Sequence, residues 1–292
     1  MEKNNKISII LPTYNGSKHI RQAIKSCLRQ THKNIELIIV DDGSTDKTPE
    51  IVKSFRDLRI KFIRHKKNKG LPAALNTGFE KAQGDYITWT SDDNFFRKDA
   101  LEKMFNFLKA KKCDLVYADY YRFDEKKPRQ VRHIQLSDRP DFKNKNEIGA
   151  CFLYTKKVKD TIGKYDKRTF LAEDLDYWIR VFKKFKICHL RQTLYFYRDH
   201  QQSLTARKWW EIKVIATLVR IKHKIWDAKQ GEEFLIKLIL KKKKFKNKFL
   251  ANIISKLLRI KILIILKRFE KDKKIQKANQ NLLALIQKMS KE

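Results

Sequence analysis

The chain is short of acidic residues, of cysteine and of long apolar runs, and each shortage excludes a class of protein. Its 292 residues include 33 Asp and Glu against 68 Lys and Arg, a formal net charge of +35. The four cysteines are widely separated and contain no Cys-x-x-Cys pair, so we expect four unpaired thiols in a reducing cytosol rather than a zinc site or a disulfide framework. No apolar run approaches the roughly 18 residues of a membrane-spanning helix, and the N-terminal run is too short for a signal peptide.

The basic excess is concentrated towards the C-terminus. Residues 205–292 carry 25 basic and 7 acidic side chains, whereas residues 1–204 carry 43 and 26. Such an excess attracts phosphate-rich substrates, nucleic acid or an acidic membrane surface. A lysine-rich composition of solvated faces explains much of residues 1–204, but in the C-terminal part the lysines interleave with long apolar side chains.

Alternating apolar periodicities predict an α/β fold. Short apolar runs favour strands at residues 7–11, 35–40, 60–64, 86–90, 114–121 and 150–154. Helical spacing of apolar residues favours helices at residues 19–30, 48–55, 71–82, 97–111 and 174–185, and throughout the chain beyond residue 205. Residues 124–146 are polar and are predicted to form a long loop. The pattern predicts a mostly parallel sheet flanked by helices, with ligands bound beyond the carboxyl ends of the strands.

Three acidic pairs stand where chemistry is expected. Asp41-Asp42 and Asp92-Asp93 each follow a predicted strand, and Glu173-Asp174 opens a predicted helix. Each pair also has a purely structural explanation, because Asp residues favour turns and helix caps and acids in a first helical turn complement the helix dipole. The functional alternatives are recognition of a nucleoside, oxygen ligands for Mg²⁺ or Mn²⁺, and a general base.

Four ordered segments together resemble glycosyltransferase family 2, in its bacterial type. They read ISIILPTYNGSKHIRQAIKSCLRQTHKNIELIIVDDGSTDKT, NKGLPAALNTGFEKAQGDYITWTSDDN, FLAEDLDYWIRV and LYFYRDH. The resemblance covers residues 6–204 and implies the GT-A fold, a Rossmann-like α/β sheet. It also implies an inverting, metal-dependent hexosyl- or N-acetylhexosaminyltransferase. Such an enzyme moves a sugar from a nucleotide sugar, usually a UDP-sugar, to a glycan or lipid-linked acceptor in polysaccharide synthesis.

The resemblance assigns roles to individual residues. The residues expected to bind the nucleotide sugar are Pro12, Thr13, Tyr14, Asn15, Asp42, Asn76 and Asp92. Among these, Tyr14 is expected to stack on or flank the base, Asp42 to recognise the base, and Asp92 to contact the ribose or the sugar. Asp93 is expected to hold a divalent metal, Mn²⁺ or Mg²⁺, with His200 contributing to the metal or diphosphate site. Asp174 is expected to be the catalytic base.

One position departs from the family pattern. Many members have arginine directly before the asparagine equivalent to Asn76, and this chain has Leu75. A contact from arginine to the diphosphate or the sugar is therefore missing or is supplied by another cation, such as Lys69 or Arg198. The donor sugar does not follow from the resemblance.

The C-terminal region, residues 205–292, lies outside the resemblance. Residues 249–266 place apolar side chains on one helical face and polar or basic ones on another, downstream of four consecutive lysines at 241–244. Such a helix suits peripheral contact with an anionic membrane, here the inner face of the plasma membrane of a cytoplasmic enzyme. The alternative is a helical appendage that packs on the catalytic domain or forms a dimer.

Two other classes of protein compete with the enzyme. The first is a nucleic-acid-binding protein, which the positive charge alone would fit. The second is a family member that has lost catalysis and serves as a scaffold protein. No nucleic-acid-binding motif is recognisable, and the acidic pairs oppose such binding, so we expect no nucleic-acid partner. The oligomeric state is left open.

Overall fold

The computed structural model of the protein describes residues 5–243. The chain forms two compact units. The first comprises the residues up to Asp141, Lys145–Lys167 and Tyr177–Ser203; the second comprises Phe142–Asn144, Arg168–Asp176 and the described residues from Leu204 onward. The predicted amphipathic segment at 249–266 and Lys244 lie outside the described residues.

One mixed sheet organises the first unit. Its strands are β1 Ile7–Thr13, β2 Ile35–Asp41, β3 Ile60–Arg64, β4 Tyr86–Trp89, β5 Phe95–Phe96, β6 Leu115–Asp124, β7 Lys127–Ile134, β8 Phe152–Thr155 and β9 Ile187–Asp199. They are arranged in the order β3-β2-β1-β4-β8-β6-β9-β5, and β7 pairs with β6 outside this path. The β3-β2-β1-β4 part is parallel, as is the β6–β9 pair, whereas β8, β5 and β7 pair antiparallel.

Helices cover the sheet and form the C-terminal region. Those that begin before residue 200 are α1 Ile20–Leu28, α2 Thr48–Lys53, α3 Leu71–Lys81, α4 Ala100–Lys111, α5 Lys156–Ile162 and α6 Glu173–Phe182. In the second unit follow α7 Leu204–Arg207, α8 Trp209–Lys222 and α9 Ala228–Lys243. The helical character predicted beyond residue 205 is therefore confirmed as far as the structure describes it. Within residues 5–243, every helix is too short or too polar to cross a membrane.

Burial explains why the first two strands could be recognised as continuous apolar runs in the sequence. Every residue of β1 and of β2 is buried, as expected for parallel strands covered on both faces. The helical face of α1 predicted from apolar spacing is the buried one. Helix α3 packs closely against β1 at Gly78. The lack of a side chain there permits this approach, since a Cβ atom on Gly78 would overlap Ile10. This close approach fixes the helix that carries Asn76.

Pro12 lies inside β1 rather than after it, so the strand runs two residues further than predicted. Pro12 aligns with Val40 of β2, whereas pairing of β1 with β4 ends at Ile10 and Trp89. Proline lacks a backbone N–H and is tolerated only where no ladder partner needs one. The end of β1 beyond Ile10 therefore lacks β4 as a neighbour, at the edge where the candidate site lies.

Two sequence predictions are wrong. Residues 127–134 form β7 instead of a loop, and nearly all of them are exposed, so the strand lacks the apolar alternation that would have revealed it. Cys113 and Cys188 form a disulfide, whereas Cys27 and Cys151 are free and buried. The bonded cysteines are 75 residues apart and meet only because β6 and β9 are neighbours, which spacing along the chain does not show.

Candidate active site

The carboxyl ends of β1, β2 and β4 bring the first two acidic pairs together. Thr13 aligns with Asp41, and the Asp42 N–H donates to the Thr13 carbonyl at 2.8 Å. The Thr13 hydroxyl also donates to the Asp92 carboxylate, which follows β4. One residue at the end of β1 thus links the loops that follow β2 and β4, as expected for a ligand site at the end of a parallel sheet.

The loop after β1 is held against the loop after β2. The Asn15 N–H donates to Ser44 Oγ at 2.8 Å, and Asn15 Oδ1 accepts from the Thr45 N–H at 2.8 Å. Asn15 has a positive φ of 54°, a conformation that asparagine tolerates better than most residues. Tyr14 beside it is 47% exposed, so its ring is available to a ligand, whereas Pro12 and Thr13 are buried.

Asp42 shapes the loop that precedes α3. Its carboxylate accepts from the Lys69 N–H at 2.9 Å and from the Gly70 N–H at 2.7 Å. His65 Nδ1 lies 2.7 Å from the same carboxylate, which is almost completely buried. Both oxygens therefore have partners within the protein, and the predicted contact with a nucleotide base stays a prediction.

Both polar side-chain atoms of Asn76 also have hydrogen-bond partners within the protein. Its Nδ2 donates to the Tyr165 carbonyl at 2.9 Å, and its Oδ1 accepts from the Tyr165 N–H at 2.8 Å. This pair of bonds fixes the loop after α5 to α3. The predicted role of Asn76 in binding the nucleotide sugar remains a prediction.

Asp92 and Asp93 form a closely spaced anionic pair at the end of β4. Burial and the neighbouring Asp93 carboxylate raise the pKa of Asp92 to about 7. Gly16 packs so closely that a Cβ atom there would overlap the Asp92 carboxylate. Two carboxylates confined in this way favour a counter-ion.

His200 adds a nitrogen to this pair. Its Nε2 lies 3.0 Å from Asp93 Oδ2, and this hydrogen bond raises the pKa of His200. The other oxygen, Asp93 Oδ1, is shielded from solvent and has no hydrogen-bond partner within residues 5–243. An unpartnered buried carboxylate oxygen beside an imidazole fits a divalent cation, for which both are ordinary ligands.

Arg198 holds the main chain around Asp93. Its N–H donates to Asn94 Oδ1 at 2.7 Å, and its Nε donates to the Asp93 carbonyl at 2.9 Å. Its Nη2 donates to Gln22 Oε1 at 2.6 Å. Arg198 therefore lies beside Asp93, and whether it or Lys69 replaces the arginine contact that is missing at position 75 stays a prediction.

Two further donors approach His200. One ligand atom each from His19, Glu125 and His200 lies within 4.8 Å of the other two. The parallel pairing of β6 with β9 aligns Asp124 with Asp199, so the next residues, Glu125 and His200, are brought side by side. His19 directly precedes α1. Sequence reasoning missed His19 and Glu125. Glu125 directly follows strand β6, and this is the same kind of position that indicated the first two acidic pairs.

Glu173 and Asp174 open α6 in the second unit. Glu173 is buried, and its Oε2 accepts from the Leu171 N–H at 2.7 Å. Burial, with the Asp174 carboxylate as a second cause, raises the pKa of Glu173 to about 8. Asp174 Oδ1 accepts from the Leu175 N–H at 2.7 Å. We therefore expect Glu173 to be mostly protonated at neutral pH.

A neutral residue at position 173 should flatten the dependence of stability on pH. The folded pKa of about 8 lies above the ordinary value of 4.5, so between these values the folded state holds a proton that the unfolded chain has lost. Stability therefore falls as pH rises through this window. Because one pKa unit corresponds to about 1.4 kcal/mol, we expect a loss on the order of a few kcal/mol that Glu173→Gln avoids.

Urea unfolding at pH 5, 6.5 and 8 measures this effect. Relative to wild type, Glu173→Gln should gain free energy of unfolding as the pH increases. Glu102→Gln, at an exposed position of α4, is the matched control and should follow wild type. Parallel stability curves for wild type and Glu173→Gln would contradict the assignment of the buried proton.

Comparison with known proteins identifies the family. Residues 8–164, more than half of the chain, match the model of glycosyl transferase family 2. The chain is 42% identical over 138 residues to an uncharacterized glycosyltransferase of Haemophilus influenzae, an alignment that covers 47% of this chain and 55% of that protein. The chain therefore belongs to glycosyl transferase family 2. Alignments with the Haemophilus protein and with two Rickettsia relatives cover 55% to 65% of those proteins' lengths.

Solved structures confirm the GT-A fold expected from the sequence. S. aureus TarS in complex with UDP-GlcNAc superimposes with a TM-score of 0.61 at 19% identity, covering 82% of this chain and 73% of that one. The mannosyltransferase PcManGT from Pyrobaculum calidifontis, in complex with GDP-Man and Mn²⁺, has a TM-score of 0.54 at 16% identity and covers 74% and 62%. At these identities the similarity establishes the architecture alone.

Proposed function

We propose that the protein is an inverting, divalent-metal-dependent glycosyltransferase acting on a nucleotide sugar, with UDP-sugars as the first candidates. The observation that carries the proposal is the buried Asp93 Oδ1, which has no hydrogen-bond partner among the described residues. Its carboxylate contacts His200 at the sheet edge where the residues after β1 and β4 meet. Two GT-A structures support it, because one binds UDP-GlcNAc and the other GDP-Man with Mn²⁺.

Charge explains how these residues would act. Asp93 and His200 would hold a divalent cation, whose positive charge would stabilise the nucleoside diphosphate that leaves. Asp92 and the residues after β1 orient the nucleoside and the sugar. Asp174 accepts the proton of the acceptor hydroxyl, whose oxygen bonds to the anomeric carbon as the bond to the diphosphate oxygen breaks. A single displacement of this kind inverts the anomeric configuration.

The acceptor is proposed to be a hydroxyl of a glycan or of a lipid-linked sugar in cell-surface polysaccharide synthesis. The support is the basic C-terminal region, which suits an acceptor presented at an anionic membrane. The choice of acceptor is independent of the choice of donor, and vesicle binding tests the membrane location on which it rests.

Release of nucleoside diphosphate from a panel of UDP-, GDP- and dTDP-sugars, with Mn²⁺ or with EDTA, tests the donor and the metal. Metal-dependent release from one donor would establish the class and name the sugar, and the anomeric configuration of the product, read by NMR, would test inversion. Absence of both release and nucleotide binding would favour the scaffold or nucleic-acid alternatives. Binding of random DNA that weakens steeply with salt and ignores nucleotides would favour the latter.

An exposed aromatic and basic patch at the start of the helical region supports a peripheral membrane location. Leu204 is 41% and Trp209 49% exposed, and Lys213 Nζ lies 5.9 Å from the centroid of the Trp209 ring. Arg207 and Lys208, which lie between them in the chain, are also exposed. Tryptophan beside basic residues is typical of surfaces that rest in the membrane interface.

Cosedimentation with lipid vesicles tests this location. We expect wild type to bind vesicles that contain anionic phosphatidylserine, to bind less in high salt, and to bind neutral vesicles weakly. Trp209→Ala and Leu204→Ser should each weaken binding severalfold. Leu58→Ser removes a leucine of the first unit that is even more exposed than Leu204, and it is the matched control. Equal binding of all variants, or no preference for anionic lipid, would contradict the location.

A further inference from the structure

The surroundings of His200 contain more ligand atoms than the proposed function uses. His19 Nε2 lies 3.2 Å from Glu125 Oε1, and His200 Nε2 lies 3.0 Å from Asp93 Oδ2. Ligands of a first-row transition metal stand about 2.0–2.2 Å from the ion. Neighbouring ligand atoms around one such ion are therefore separated by about 3–4 Å, the range of both observed distances.

Two buried polar atoms near His200 have no hydrogen-bond partner within the described part of the chain. His19 Nε2 is shielded from solvent and makes no hydrogen bond, although Glu125 Oε1 lies 3.2 Å away. Asp93 Oδ1 is in the same condition. Buried nitrogen and oxygen atoms rarely remain unpartnered. His19 belongs to the group of ligand atoms that lie within 4.8 Å of one another, and Asp93 contacts another member of that group, His200, through its second oxygen.

The charges nearby explain why nitrogen donors matter here. Lys18 Nζ lies 2.8 Å from Glu125 Oε2, and the Arg198 guanidinium binds the Asp93 carbonyl. These two cations offset part of the negative charge of Glu125 and of the Asp92–Asp93 pair, so the site favours a hard cation less strongly than three unopposed carboxylates would. Imidazole nitrogens bind transition metals through coordination and hold Mg²⁺ or Ca²⁺ poorly.

We propose that His19 and Glu125 complete, with His200 and Asp93, a single cation site that binds a first-row transition metal before the nucleotide arrives. The inference rests on the proposed function, which assigns Asp93 and His200 to the metal, and it adds two ligands, a selectivity and an order of binding. A Mg²⁺ site with one or two carboxylates needs substrate phosphates to complete it. Three of these ligands, two of them imidazoles, lie within 4.8 Å of one another without substrate, and Asp93 contacts His200. This arrangement removes that need and favours Co²⁺ and Zn²⁺ over Mn²⁺ and all three over Mg²⁺.

Metal titration of the full-length protein without nucleotide tests the site. The probes are Co²⁺, followed by its visible absorption, and Mn²⁺ and Mg²⁺, followed by calorimetry, each with and without UDP. We expect one equivalent of Co²⁺ to bind without UDP, and Mg²⁺ to bind detectably only with UDP. His19→Gln and Glu125→Gln should each weaken Co²⁺ binding by about tenfold or more and change its absorption spectrum. His133→Gln and Glu102→Gln, both at exposed positions, are the matched controls and should bind as wild type.

The outcomes separate this inference from the proposed function. Metal binding that requires UDP in wild type, or unchanged Co²⁺ binding by both variants, would overturn the inference and leave a metal-dependent transferase in place. Failure to bind any of the cations with or without UDP would remove both. Circular dichroism and thermal unfolding of the metal-free variants should match wild type, so weaker binding reports lost ligands and not a lost fold.

Discussion

Asp93→Ala is expected to abolish the metal-dependent release of nucleoside diphosphate. The substitution removes the buried oxygen that has no hydrogen-bond partner within residues 5–243 and the oxygen that contacts His200. Without them, the charge that develops on the leaving diphosphate loses its stabilisation, a loss we set at about 10³-fold in kcat by analogy with removed oxyanion donors. The measurement is release from the donor identified in the panel, at saturating Mn²⁺ and with EDTA.

Two controls distinguish loss of the metal ligand from a general effect of removing a carboxylate or of unfolding. Asp160→Ala changes an exposed carboxylate of α5 and should keep the activity of wild type. Thermal unfolding of Asp93→Ala should be close to that of wild type, since removing one of two adjacent carboxylates relieves their repulsion. Release by Asp93→Ala within tenfold of wild type would place the metal elsewhere or remove it from the reaction.

The parallel half of the sheet could be predicted from the sequence because its signals are local. Strands β1 and β2 are continuous apolar runs that end at the candidate site, and the buried face of α1 follows from spacing alone. The acidic residues at strand ends followed from the same reasoning, since parallel strands present their carboxyl ends at one edge. Similarity to the family then added expected roles that no periodicity contains.

The contacts made by those residues could not be predicted. Asn76 was expected at the nucleotide, and in the structure both of its polar atoms bind the main chain of Tyr165, 89 residues away. Glu125 and His200 meet because the last residues of β6 and β9 align, and nothing near either residue in the sequence indicates this pairing. Local patterns predict elements, whereas partners across distant strands depend on register.

Asp174→Asn is expected to lower turnover by about 10²–10⁴-fold while the affinity for the nucleotide is kept. The amide has nearly the shape of the carboxylate but does not accept a proton at neutral pH, so only the step that needs a base is lost. The measurement is kcat for transfer, or for the slow donor hydrolysis in which water replaces the acceptor, together with UDP affinity by calorimetry. Asp93→Ala differs in that its metal dependence disappears as well.

Glu173→Gln is the matched control, because it makes the same chemical change one residue earlier. The pKa of Glu173 is raised to about 8, so at pH 7 this side chain is already mostly neutral and the substitution should leave turnover within a few-fold of wild type. The two adjacent carboxylates thus have opposite expected outcomes, which a general loss of stability in α6 would not produce. A larger loss in Glu173→Gln than in Asp174→Asn would mean that the proton is accepted by Glu173, with Asp174 serving only to begin the helix.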